Sequence, residues 1–249
     1  MTGSITLSLN ELRSLLRRTY EALYRHGYDF GVMARSCLWL ESHGLDGIGL
    51  ILRSLDDLDT PCAQLKLTEP QPGYYVIDGQ GRCLIPFVNS ATDLAIARAK
   101  QNGTGLIDIW NVFGRLNVFA ALKKSARLDL WAAAIWYDAV DDKTCALWLD
   151  SGKMLPDYYV LPERIDGPWG LSGLRFVCAD NPDPVTAQIR AVLSDGAVPY
   201  TAAADFAAAY ERALDFGLTV SKSDYAKLNA LADRLLVPST DESRRGAGE

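Results

Sequence analysis

Through the first 60 residues, apolar side chains recur at helical spacing. Leu12, Leu15, Leu16, Tyr20 and Leu23 share one helical face. Ser8 and Glu11 have the spacing of a capping box, in which each side chain satisfies the other's free backbone N–H. A first helix therefore follows Ser8, with His26-Gly27 as its stop and Asp29 as the next cap. A second carries Phe30, Met33, Cys37 and Leu40 to a stop at His43-Gly44. A third, opened near Asp46, lines up Ile48, Ile51, Leu52, Leu55 and Leu58. Residues 1–60 thus read as a compact N-terminal three-helix unit.

From Pro61 the helical period gives way to prolines, glycines and β-formers. The run YYVIDGQGRCLIPFV predicts two strands around an Asp78–Gly81 hairpin turn. NSATDLAIARAKQNG predicts a helix capped by Ser90 and Asp93, with Leu94, Ile96 and Ala97 facing inward and Asn102-Gly103 ending it. TGLIDIWNV is the next strand, so the order strand, helix, strand predicts a βαβ-like unit, with an antiparallel return left open. A helix over 116–124 follows, then a strong hairpin, LDLWAAAIWYD and TCALWLDS, turning at Asp141-Asp142-Lys143. LSGLRFVCAD is a strand broken off by Asn181-Pro182-Asp183-Pro184, because each proline bars its predecessor from helix. The rest is helical: Val185 to Leu193, Thr201 to Phe216, and a helix capped by Ser221 and Asp224. The pattern gives a mixed α/β region over 61–237 with C-terminal helices, and a disordered tail at 238–249.

With 49% apolar and 22% charged residues, 249 residues suffice for a proper core. The net charge of -6 leaves no basic stripe for phosphates, so neither nucleic acid nor an anionic membrane surface is an expected partner. No apolar run approaches the roughly 20 residues of a membrane span, and the first residues lack a signal-peptide layout, which makes a cytoplasmic location the expectation. Cys37, Cys62, Cys83, Cys145 and Cys178 show no metal or redox spacing and are expected as buried thiols. Two histidines exclude a multi-histidine metal site. The acids Asp56-Asp57-Asp59 and Asp141-Asp142 belong at solvated helix ends and turns, so no metal is expected. Nucleotide-binding glycine loops, the nucleophile elbow and the HExxH zinc motif are all absent.

The remaining candidate chemistry is Ser42-His43. A histidine can pass a proton to a carbonyl or imine, and a neighbouring hydroxyl can fix its tautomer. Equally, His43 beside Gly44 can simply close the second helix against its exposed carbonyls.

The helical unit ending in SHG, the segment DGQG and then ATDLAIARAKQNGTGLIDIWNVFG resemble the type II malate, L-lactate and L-sulfolactate dehydrogenases, which are not Rossmann proteins. WLESHGLDGIGLILRSL with the late VPSTDESRRGAG is similar, more closely, to a bacterial family of uncharacterised domains related to them. The likeness covers about residues 8–125. It implies an α/β fold with the N-terminal helices packed on a mixed sheet, an NAD(P)-dependent reduction of a small 2-oxo or cyclic imino acid, and a homodimer with its site between subunits. The dimer would also cover the aromatic strands bearing Trp131, Trp136 and Trp148. The family's serine and proton-donating histidine fall on Ser42 and His43.

Three positions depart from the pattern. The family's carboxylate-holding arginine falls on Gly47, which cannot form the bidentate fork. Its second histidine falls on Val112, and its Gly-Thr-Asn-Pro cofactor segment has only an echo in Asp180-Asn181-Pro182. Weak cofactor binding is therefore expected. The readings that stay open are a diverged oxidoreductase anchored by Arg35, Arg53 or Arg115, an accessory subunit or small-ligand binder, and a cofactor-independent lyase or isomerase using His43.

Overall fold

The computed structural model describes residues 3–23, 29–60, 65–165, 167–194 and 196–235. The His26-Gly27 stop, Cys62 and the tail at 238–249 lie outside the described residues. Along the chain come β1 (Ser4–Leu7), α1 (Leu9–Leu23), α2 (Phe30–Ser42), α3 (Gly47–Arg53), α4 (Leu55–Leu58), β2 (Lys66–Gln71) and β3 (Tyr74–Cys83). Next are α5 (Val88–Asn102), β4 (Thr104–Phe113), α6 (Val118–Ala126), β5 (Trp131–Asp138), β6 (Lys143–Leu149), β7 (Asp157–Leu161) and β8 (Leu174–Ala179). The chain closes with α7 (Pro182–Arg190), α8 (Ala203–Phe216), β9 (Leu218–Ser221) and α9 (Lys222–Ala232).

Helix α1 starts as its capping box requires: the Ser8 N–H donates to Glu11 Oε2 at 2.7 Å and the Glu11 N–H donates to Ser8 Oγ at 3.2 Å. Its predicted face, Leu12, Leu15, Leu16, Tyr20 and Leu23, is buried. That face meets α2 and, from the far end of the chain, α9, in one buried cluster with Ile48 and Ile51 of α3. The edge of this layer is a two-stranded sheet in which β1 pairs antiparallel with β9, a pairing that no local pattern announced.

A seven-stranded mixed sheet, in the order β2-β3-β4-β8-β5-β6-β7, forms the body. β3 and β4 are parallel and are joined through α5, so the βαβ reading is the one realised, while every other pair is antiparallel. One face buries Ile107, Ile109, Trp136 and Phe176 under α5, α6 and Leu40 of α2. The other buries Ala133, Ile135 and Val177 under Val185 and Ile189 of α7. The mixed α/β architecture with N-terminal helices on the sheet is thus observed.

Several local expectations are corrected. Asp78–Gly81 does not reverse the chain: β3 runs through it, and its register against β4 slips between Asp78 and Arg82. Gln80 and Gly81 take φ values of 55° and 76°, which makes a bulge inside one strand, and the true hairpin partner of β3 is the exposed β2. Phe87, not Ser90, precedes α5, and Ala97 is exposed; Ala91, Ala95, Ile96 and Ala99 form the inward face. The third predicted helix is broken at Ser54 into α3 and α4. Asp57 and Asp59 are not merely solvated, because Asp57 accepts the Cys83 N–H at 2.9 Å and Asp59 pairs with Arg234. Part of the cover for the aromatic strands comes from the chain itself. Trp136 is in the core, stacked on Tyr158, while Trp131 and Trp148 meet edge to face against the α7 layer.

Four of the cysteines, Cys37, Cys83, Cys145 and Cys178, are buried free thiols, as expected. Burial pushes Cys83 and Cys145 up to about 11 and Cys178 to about 12, so these thiols are poor nucleophiles.

One buried charge is held by a full set of partners. Asp108, with no exposed surface, receives Nε and Nη2 of Arg175 at 2.7 Å each and the Tyr74 hydroxyl at 2.6 Å. Arg175 is held in turn by Gln188 and by the faces of Tyr74 and Trp169. Arg175→Met is expected to cost about 3–5 kcal/mol in urea unfolding, since it strands a buried carboxylate. The double variant Asp108→Leu/Arg175→Met should recover part of that loss. A single variant within about 1 kcal/mol of the parent would contradict this account of a desolvated pair.

Candidate active site

The end of α2 places the candidate pair. Gly44 has φ of 81°; its N–H donates to the Glu41 carbonyl and the Leu45 N–H to that of Leu40, which is a Schellman closure with Leu45 folded back on the core. His43 is therefore the C-cap of α2, and the helix-stop reading holds. The same geometry leaves its ring in a defined place. Nδ1 lies 2.7 Å from the Trp39 carbonyl, which can only accept, so Nδ1 carries the proton. Ser42 Oγ stands 3.1 Å from that carbonyl and 3.1 Å from Nδ1. Nε2, on the far side of the ring, makes no hydrogen bond among the described residues. Helix closure and a prepared imidazole are thus two consequences of one turn.

His43 and Ser42 line a cleft of about 630 Å³. Its walls are α1, α2, α6 and α8, with Asn89 of α5 and the Met154-Leu155 loop. Although the chain is acidic, this cleft carries Arg13, Arg35, Lys123, Lys124 and Arg127 against, among the described residues, the single carboxylate Glu211. Lys124 is paired with Asp93 at 3.0 Å. Burial, and then Arg127, lowers the pKa of Lys123. Burial also lowers that of His43 below the ordinary 6.5; the Trp39 carbonyl opposes this and Lys123 adds to it. Both burial and Lys123 thus favour the neutral ring over the imidazolium.

Of the three cationic anchors proposed from sequence, only Arg35 lines the cleft. Arg53 is exposed and pairs with Asp46 at 2.8 Å, and Arg115 donates to the Val112 carbonyl at 2.7 Å. Arg13, Lys123, Lys124 and Arg127 were not legible, because they lie on separate elements and each reads alone as an ordinary surface cation.

The departures take on a different meaning in three dimensions. Gly47 opens α3 against the backbone of α2: a Cβ there would sit 2.4 Å from the Cys37 carbonyl oxygen and 3.1 Å from Leu40 Cβ. No side chain fits, so the carboxylate anchor cannot come from this position. Val112 is buried in the core behind the bulge. Asn181 caps α7, accepting the Asp183 N–H, and does not line the cleft.

No family model matches the chain, and no curated protein matches it. Solved structures do. A dehydrogenase from Sinorhizobium meliloti superposes with a TM-score of 0.68 at 15% identity over 92% of this chain and 100% of its own. Sulfolactate dehydrogenase from Methanocaldococcus jannaschii gives 0.65 at 13%, over 92% and 97%. This chain has the dehydrogenase-like fold of these proteins. Delta1-piperideine-2-carboxylate reductase from Pseudomonas syringae pv. tomato shares it too, with a TM-score of 0.61 at 13% identity over 91% of this chain and 99% of the reductase. The architecture expected from the SHG-containing segment is therefore the one found. Among the described residues no helix is long and apolar enough to cross a membrane.

Proposed function

We propose that the protein is a diverged NAD(P)-linked oxidoreductase that reduces a small 2-oxo or cyclic imino acid, with His43 as proton donor. The observation that carries this reading is a His43 ring, with Nδ1–H on the Trp39 carbonyl, lining a cationic cleft. The substrate carboxylate would rest against Arg35 and Arg13, and its charge would raise the proton affinity of the imidazole beside it. Nε2–H then protonates the oxygen or nitrogen of the reduced bond, and Ser42 holds the ring in register through the Trp39 carbonyl. The charge and size of the cleft fit an anionic nicotinamide nucleotide, with Lys123, Lys124 and Arg127 as the residues to hold its phosphates. When bound, that cofactor supplies the hydride.

The test is turnover of NADH and NADPH with oxaloacetate, pyruvate and piperideine-2-carboxylate. Oxidation of either cofactor with any of the three supports the reading. Binding is expected to be weak, with Kd above about ten micromolar by tryptophan fluorescence, because neither Gly47 nor Val112 offers a polar anchor. Absence of both turnover and binding would favour the second reading, an accessory subunit or small-ligand binder on the same scaffold. The closed wall at Gly47 is the observation on its side.

The same proposal includes a homodimer. Its support is the exposed Val198, Tyr200, Leu214 and Phe216 on and before α8. Light scattering is expected to give twice 27.3 kDa at micromolar concentration; a stable 27.3 kDa species would refute the dimer.

A further inference from the structure

Beyond Ser42 and His43, the cleft contains an aromatic arrangement that no resemblance assigned. The His43 ring lies parallel to Trp39 (centroids 4.0 Å apart, 16° between planes) and parallel to Tyr210 of α8 (5.1 Å, 19°). Two rings stacked on one face of an imidazole at those distances would touch each other. Among the described residues no ring contact joins Trp39 to Tyr210, so they cover opposite faces. The ring's polar anchoring is sparse by comparison. Nδ1 has the Trp39 carbonyl, but that oxygen is shared with the Ser42 hydroxyl and the His43 N–H. A single shared acceptor does not by itself prevent the ring from turning over.

We infer that Tyr210 is a positioning residue: its ring, from helix α8, closes the second face of His43 and keeps Nδ1 on the Trp39 carbonyl and Nε2 toward the cleft. The proposal rests on the oxidoreductase reading for its catalytic consequence, but not for its geometry. The phenol hydroxyl is not required, since the stack is made by ring faces. Tyr210 is partly exposed on an alanine-rich helix, so Tyr210→Ala leaves the helix intact.

The test uses the full chain labelled at histidine with ¹³C and ¹⁵N. Two histidines give two ring systems, and His43→Asn assigns them. In the parent, His43 is expected to show a single Nδ1–H tautomer and upfield-shifted ring protons. Tyr210→Ala should lose part of that shift and mix the tautomers, and Tyr210→Phe should restore both. With an active substrate from the set above, kcat should fall roughly tenfold in Tyr210→Ala with KM changed less, and Tyr210→Phe should rescue it. Unchanged ring shifts and tautomer in Tyr210→Ala would overturn the proposal, whatever its turnover. A parent with no turnover would instead overturn the oxidoreductase reading, leaving this inference to the ring signals alone.

Discussion

His43→Asn is expected to lower kcat by about 10²–10⁴-fold, the range attached to loss of a general acid, in a protein that otherwise melts like the parent. Asparagine also tolerates a helix C-terminus, and the Schellman closure depends on Gly44 and on backbone groups, so the stability change should stay near 1 kcal/mol. Ser42→Ala should produce a smaller drop, because it removes a neighbour of the ring and not the proton. The pH profile follows from the same geometry. In the free protein, burial and Lys123 hold the His43 pKa below 6.5, and a donor must be protonated to act. For reduction, kcat/KM should therefore fall as pH rises through that lowered pKa, with the limb lying below 6.5. If His43→Asn turned over substrate at the parental rate, His43 would return to being a helix cap with an aromatic neighbour.

Gly47→Arg introduces the arginine that the resemblance to the type II dehydrogenases implies at this position, yet it is expected to damage the protein and not to improve substrate binding. In an exposed helix, replacing glycine with alanine gains about 1 kcal/mol from propensity alone. Here the added Cβ would lie 2.4 Å from the Cys37 oxygen, with Leu40 Cβ and Glu41 N also within 3.2 Å, so α2 and α3 would have to separate. Overpacking of that kind costs typically 1–3 kcal/mol, which outweighs the propensity gain. Gly47→Ala should thus be destabilised by about 1–2 kcal/mol, and Gly47→Arg by about 3 kcal/mol or more, in urea or thermal unfolding. A Gly47→Arg chain as stable as the parent, with a lowered KM for an oxo acid, would show that the helices yield and that an arginine anchor can be built there.

The His43 question shows how a local reading can be right and still incomplete. Ser42, His43 and Gly44 were legible as a helix stop because a Schellman closure is made within six residues of one chain segment. The proton-transfer reading could be raised from the resemblance but not decided, since the partners that define the ring's surroundings are Tyr210, Lys123 and Phe206, from 80 to 167 residues away in sequence. Likewise Arg35, Arg53 and Arg115 were equivalent as letters. Only packing separates a cleft residue from an exposed ion pair and a half-buried guanidinium that donates to a backbone carbonyl.

The sequence by itself determined the helices α1, α2 and α9, their caps, the β5–β6 hairpin and the βαβ order through α5, because propensity, periodicity and capping act over a few residues. The tertiary structure alone decided that Asp78–Gly81 is a bulge, since a parallel partner on β4 keeps β3 running forward through two residues of positive φ. It also decided that β1 pairs with β9, that Asp108 is neutralised by Arg175 and that five cations converge on one acidic chain's cleft. Each of these joins segments distant in sequence. Nothing in either segment encodes the distance between them until hydrophobic burial has brought the sheet and helices together.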